Sequence, residues 1–170
     1  LQDHPDTPDP LDTWTREVVE GIASTLSLKA LFPFDGPPYL PFQRWAARAT
    51  PMWPSPLGIY IHPRYGLWQG LRAALVSTRS YSIPPPRRAR SPCLTCTEQP
   101  CLSACPVGAF SPSGYDVGAC AQYLALDDGQ ACMQSGCKAR RACPAAQQHT
   151  YPDTQLRFHM TAFEAARRGR

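Results

Sequence analysis

Apolar residues at Trp14, Val18, Ile22 and Leu26 recur at one helical spacing and predict an amphipathic helix over Asp12–Leu31. Asp12 or Thr13 can cap it, with Glu17 in its early turns, as the unpaired amides of a helix start prefer. Such a stripe predicts core contact rather than a cofactor site. The next stretch, LFPFDGPPYLPFQRWAARATPMWPSP, is broken by proline except for a short helix predicted over Pro41–Ala49, with Pro51 just past its end. Its Phe32, Phe34, Tyr39, Phe42, Trp45, Met52 and Trp53 read as irregular core, or alternatively as a wrap around a partner or a screen over a buried site. Alternation in LGIYIH predicts a strand over Leu57–His62. Pro63 and Gly66 interrupt it, and Leu67, Leu71, Ala74 and Leu75 then fall on one side of a helix predicted over Leu67–Ser77. An extended arm, Thr78–Ile83, leads to a polyproline spacer at Pro84, Pro85 and Pro86.

Composition changes this picture in one respect. Twenty of the 170 residues are proline, well over the usual 5% or so, which predicts many irregular connections and few long helices. With 43% hydrophobic residues and 18% charged, the chain reads as one small domain plus a module stapled by metal. The predicted organisation is an acidic, proline-rich lead-in over 1–10, an α-rich region over 11–83, a Pro/Arg linker over 84–90, a cysteine module over 91–148 and a basic helical tail over 149–170. No run approaches the ~18 apolar residues of a membrane helix, and no signal peptide is visible.

All eight cysteines lie between Cys93 and Cys143, and two of them precede proline. The first run is Cys93, Cys96, Cys101 and Cys105 before Pro106; Cys120 stands alone; the second run is Cys132, Cys137 and Cys143 before Pro144. A 4Fe–4S cluster needs four thiolates, of which a short run supplies three, and in two-cluster ferredoxins the cysteine before proline ligates the other cluster. That logic puts Cys93, Cys96, Cys101 and Cys143 on one cluster and Cys105, Cys120, Cys132 and Cys137 on the other. Two alternatives stay open. Structural zinc also uses sets of four cysteines, although only Cys93 and Cys96 form the two-residue-spaced pair it favours. A disulfide framework needs an oxidising compartment and fits poorly with bridges crowded into one third of the chain.

The stretch from Cys93 to Pro144 resembles the dicluster ferredoxin module of epoxyqueuosine reductases and related cobalamin-dependent reductases. The likeness rests on Cys105-Pro106-Val107-Gly108-Ala109, then Cys120 shortly before Tyr123-Leu124, then Cys143-Pro144, and it covers roughly residues 91 to 146. The spacings from Cys96 to Cys101, Cys132 to Cys137 and Cys137 to Cys143 are wider than that family's. The fold class this implies is α+β, mostly α and irregular: a small N-terminal helical region with a short strand pair, followed by a bacterial dicluster ferredoxin-like module. About ninety residues precede Cys93 and 27 follow Cys143, too few for the family's catalytic domain. The resemblance therefore implies cluster ligands and an electron-transfer role, and no substrate, cobalamin or catalytic acid. The segment GIYIHPRYGLWQGLRAALVSTRSYSIP is also similar to a strand-loop-helix-strand piece of a flavin- or cobalamin-binding scaffold, a fold analogy that cannot by itself establish a site.

His62 ends a predicted strand and reads as a hydrogen-bonded loop residue before it reads as a ligand. His149 and His159 follow the last cysteine and are candidates to replace a thiolate should an assigned cysteine not bind, but eight thiols already suffice. Basic residues cluster at Arg87, Arg88 and Arg90, at Lys138, Arg140 and Arg141, and at Arg157, Arg167, Arg168 and Arg170. Near a negatively charged cluster they favour its reduced state, and on the surface they steer an acidic redox partner. Nucleic acid is the weaker reading, since the net charge is only +4 and no binding motif is present.

Two functions follow: an electron-transfer protein with two 4Fe–4S clusters serving a partner reductase, or a reductase resembling the epoxyqueuosine enzymes with an added flavin or cobalamin. The lack of a glycine-rich dinucleotide loop, P-loop or nucleophile elbow favours the first. Thiolate ligands favour a reducing cytoplasm.

Overall fold

The computed structural model describes residues 7, 9–85 and 89–168. In chain order its elements are α1 (Pro10–Leu26), β1 (Lys29–Leu31), α2 (Phe42–Ala49), β2 (Trp53–Pro54), β3 (Tyr60–Ile61), β4 (Ala74–Val76), α3 (Pro100–Ser103), β5 (Phe110–Ser111), β6 (Gly114–Tyr115), α4 (Val117–Leu124), α5 (Gln130–Ser135), α6 (Lys138–Arg141) and α7 (Asp153–Arg168). This is a mixed α+β chain whose described strands are short and pair only in twos, all antiparallel: β1 with β4, β2 with β3, and β5 with β6. The chain divides into two units, Leu1–Thr50 with Gly70–Arg87, and Pro51–Gln69 with Arg88–Arg170. The segment Pro51–Gln69, grouped by sequence with the N-terminal region, belongs with the cysteines. Most of the predicted lead-in over 1–10, and Pro86, Arg87 and Arg88 of the linker, lie outside the described residues.

In the first unit, α1 starts at Pro10, where a missing amide costs no helical bond. Asp12 is not its cap; the carboxylate pairs instead with the Arg72 guanidinium. The helix stops at Leu26 because Ser27 turns left-handed (φ 54°) and the Leu28 amide bonds the Ala23 carbonyl at 2.8 Å, a terminus that satisfies otherwise orphaned carbonyls. Lys29–Leu31 is thereby released to pair with β4, with Ala30 opposite Leu75. The predicted apolar stripe is not core. Trp14, Val18, Ile22 and Leu26 are 45, 41, 46 and 57% exposed, while the buried positions of α1 are Thr15 and Ala23. Thr15 tolerates burial because its hydroxyl donates to the Leu11 carbonyl at 2.7 Å. Of the aromatic and proline stretch, Phe32 and Phe42 are buried and Tyr39 is exposed.

The helix predicted over Leu67–Ser77 does not form; the chain runs irregularly into β4. The apolar residues that made one helical face are divided between the two units, Leu67 in the second and Leu71, Ala74 and Leu75 in the first. Tertiary pairing with β1 then overrides local periodicity. The scaffold likeness of this segment loses its helix with it. The strand predicted over Leu57–His62 shrinks to Tyr60–Ile61 because Gly58 turns at φ +74° and its amide bonds the Ser55 carbonyl at 3.0 Å.

The core of the second unit gathers Leu57, Ile61, Leu67 and Ala139 around Cys101 and Cys143, with Cys93, Cys105 and Cys137 packed against it. Apolar burial and the thiols therefore occupy the same place. α7 packs along α4 and α5 and buries Leu156, so the residues read as a tail are part of this unit. No described helix is long and apolar enough to cross a membrane.

Candidate metal centres

Each cysteine is set by a short local element. Cys93 sits in a single 3-10 turn, Pro92–Thr95, capped by the Ser91 hydroxyl, which accepts from the Cys93 amide at 3.3 Å. Cys96 follows that turn, Cys101 lies in α3, and Cys105 follows it. Asp116 caps α4 by accepting from the Ala119 amide at 2.9 Å and so fixes Cys120 one turn in. Cys132 lies in α5; Cys137 and Cys143 stand on either side of α6. Gly136 makes the break between α5 and α6, at φ 81° and ψ 172°, a region essentially confined to glycine. A Cβ there would also lie 3.0 Å from the Leu156 side chain of α7.

All eight cysteines are free thiols, so no disulfide framework is present. They line two separate cavities, four to each. Cys93, Cys96, Cys101 and Cys143 line one of about 30 Å³; Cys105, Cys120, Cys132 and Cys137 line another of about 510 Å³. The charges they would carry act on one another in the same sets: Cys101 on Cys93, Cys96 and Cys143, and Cys120 on Cys105 and Cys132. Among the described residues, no three His, Cys, Asp or Glu side chains are drawn together tightly enough to hold a single metal ion.

The fit of such a cage can be tested on the surroundings. The larger cavity is mostly apolar and is walled by Leu57, Ile59 and Phe110, and by His159, Met160 and Phe163 of α7, with Lys138 and Arg140 beside the thiols. Arg140 donates to the Leu67 carbonyl at 2.6 Å and lies 4.5 Å over Trp68 and 5.0 Å over Tyr151. Its Nε is nonetheless buried without a hydrogen-bond partner. A buried donor on a cation at the wall of a four-thiol cavity suits an anionic group. The smaller cavity is tight, so the surface turn of Cys93 and Cys96 has to yield to admit a cage. The larger cavity has room for such a group; the smaller, at about 30 Å³, has it only after a shift of that turn.

Burial raises the thiols of Cys93, Cys101, Cys120 and Cys137 above their ordinary range, with neighbouring cysteines adding to it. Tyr115 is raised too, first by burial and then by its hydrogen bond to Cys120. These groups hold their protons at neutral pH, and a metal bound there would displace them.

His62 and His149 are engaged away from the thiols. His62 Nδ1 accepts from the amides of Arg64 and Tyr65 at 3.0 and 3.3 Å, and burial with nearby Arg64 lowers its pKa, so it is a loop residue. His149 packs edge-on to Tyr65. His159, by contrast, lines the larger cavity with four of the cysteines, in keeping with its reading as a substitute ligand. Among the arginines, Arg141 donates to the Ser135 carbonyl at 3.0 Å, while Arg87, Arg88 and Arg170 lie outside the described residues. Sequence reasoning missed α7 as a cavity wall, although Leu156, Met160 and Phe163 carry the helical spacing that marks an inward face. Of the two roles the sequence offered Arg140, beside the thiols or on the surface, its place in the wall of the larger cavity matches the first. Compared with protein-family models, curated proteins and solved structures, the chain matches none.

Proposed function

We infer that this chain is an electron-transfer protein whose second unit is a dicluster ferredoxin-like module, holding one 4Fe–4S cluster on Cys93, Cys96, Cys101 and Cys143 and a second on Cys105, Cys120, Cys132 and Cys137. The observation that carries this reading is the division of eight free thiols between two cavities in sets of four. When bound, such clusters accept and release one electron each without bond rearrangement. The protein's part is to hold the thiolates, to exclude water with the apolar walls of Leu57, Ile59, Phe110 and Phe163, and to offset negative charge with Lys138 and Arg140.

The partner is a redox protein with an acidic face. Lys138 and Arg141 are exposed on α6, and Lys138 reaches the larger cavity, so a carboxylate-rich surface docking there comes close to the second site. Attraction of that kind weakens as salt screens it. Thiolate ligation fits a reducing compartment such as the cytoplasm.

The test is an anaerobic reductive titration of the reconstituted full chain followed optically. The reading expects a broad visible band that bleaches on reduction and returns on reoxidation. Flavin or corrin bands in protein purified anaerobically would turn the reading toward the reductase alternative, and a colourless zinc protein would end it.

A further inference from the structure

The first unit carries most of the exposed large apolar side chains of the described residues, and four of them share one helix. Trp14, Val18, Ile22 and Leu26 follow one another at steps of four along α1, so they form a ridge that winds slowly about the helix. The adjacent row at the same step holds Glu17, Gly21 and Thr25. Between the two rows lies a shallow hollow of about 390 Å³, lined by Val18, Gly21, Ile22, Thr25 and Leu26. Gly21 makes that hollow. Glycine inside a helix is unfavourable, and no described residue comes within 4 Å of the point where its Cβ would stand, so the chain's own packing does not require it. A missing side chain there permits close approach from outside. Thr25 can be covered without leaving a lone donor, because its hydroxyl already donates to the Gly21 carbonyl at 3.0 Å.

The occupant that fits is a second copy of the same helix. The four ridge positions are symmetric about residue 20: turned end for end, Trp14 stands opposite Leu26 and Val18 opposite Ile22. Ridges of this class interdigitate with helix axes about 50° apart, and the ridge of each copy then lies in the hollow of the other. Trp14 of the second copy falls at the Leu26 end, where exposure along the ridge is greatest, at 57%. A tryptophan seated in such a pocket is a common anchor of interfaces. Charge agrees with this pairing. The last turn of α1 carries no basic residue, and the end-for-end arrangement sets the positive start of the other helix beside it. Arg16 and Glu20, paired with each other, lie on the side of α1 away from the ridge. A lipid surface suits the helix poorly, since Asp12, Glu17 and Glu20 outnumber Arg16 and membrane-surface helices favour lysine and arginine.

We propose that α1 is a self-association surface through which two copies of this chain pair, antiparallel and two-fold symmetric, each setting its ridge of Trp14, Val18, Ile22 and Leu26 into the hollow around Gly21 of the other. Such an interface is isologous, with one patch serving both copies. One helical ridge offers less than the ~800 Å² per partner of a standard interface, so the dimer is weak and reversible. The pairing goes beyond the electron-transfer reading and does not depend on it.

The experiment is sedimentation velocity of the full chain over a concentration series from micromolar to near-millimolar, as wild type, Gly21→Glu and Gly21→Lys. The wild type is expected to move from the mass of one chain, 18.8 kDa, toward twice that as concentration rises. Each variant puts a charge into the hollow at a helical position with open space for a side chain, and each alone should weaken association at least about tenfold. An equal mixture of the two should associate again, because the two-fold axis passes near residue 20 and brings the opposite charges together. Replacing a helical glycine raises helix propensity, so both variants should keep the fold, which circular dichroism checks. A wild type that stays monomeric throughout, a Gly21→Glu chain that associates as tightly as the wild type, or a mixture no better than either variant alone overturns the proposal. Binding of a monomeric wild type to phosphatidylglycerol vesicles would overturn it too, and would assign the ridge to lipid. None of these readouts involves iron, so their failure and failure of the two-cluster reading are distinguishable.

Discussion

Cys143 lines the same cavity as Cys93, the first cysteine of the chain, while Cys137, its nearest neighbour in sequence, lines the other. The single turn of α6 between them carries the chain from one site to the next, and Arg140 within it is tied to the Leu67 carbonyl and to Trp68. The exchange of thiols between the two runs thus rests on a fixed turn.

That relationship predicts a crossed pattern of double variants. Replacing Cys93 and Cys143 together by serine removes one site and leaves about four iron atoms of the expected eight or so. Replacing Cys93 and Cys137 together strikes both sites and leaves essentially none. Iron analysis of reconstituted variants reads the difference, and equal losses in the two pairs would contradict the pairing.

Gly136→Ala combines a backbone region hostile to side chains with a close approach to Leu156. The substitution should cost roughly 1–3 kcal/mol in denaturant unfolding. Because Gly136 sets the position of Cys137, iron content should fall toward that of a single site. A variant with wild-type stability and full iron would show that this turn does not position the thiol.

Arg140→Ala removes a hydrogen bond from a charged donor to the Leu67 carbonyl and contacts with two aromatic faces. The expected loss is about 2–4 kcal/mol. Arg140→Lys should recover only part of it, since an ammonium lacks the planar fork that stacks and donates together. Chemical denaturation of the apo chain measures both.

Raised thiols make the metal-free chain sensitive to alkali. In the unfolded chain cysteines ionise near pH 8.5 or so, while Cys93, Cys101, Cys120 and Cys137 stay protonated longer in the folded chain. The unfolded state then holds fewer protons, so apo stability is level below that pH and falls above it. The raised Tyr115 hydroxyl acts in the same direction at still higher pH. Metal loading has the opposite slope, since it displaces these protons and strengthens as pH rises. Urea midpoints and iron-binding curves at a series of pH values test the two signs.

Which cysteines share a cavity was legible in the sequence from their spacing and from the position of Cys105 and Cys143 before proline. The span of α2 was legible for a similar reason: Pro41 and Pro51 punctuate it locally. The failures have a common cause. Leu67 and Leu71 look like one helical face, yet they serve different units, and periodicity within a segment carries no information about where the chain changes allegiance. Trp14, Val18, Ile22 and Leu26 form a stripe that stays exposed while Thr15 is buried, because a hydroxyl that bonds its own helix can be hidden. The walls of the larger cavity come from Ile59 and Phe163, too far from the cysteines in sequence for any motif to join them. That Arg140 packs against Trp68 and Tyr151 is set by tertiary contacts that its local sequence does not encode.

The most direct measurement is the iron and acid-labile sulfide content of the full chain reconstituted anaerobically and freed of unbound metal. Two 4Fe–4S clusters predict about eight of each per chain. Two zinc ions per chain without sulfide, or eight thiols that take up no iron, would contradict the account.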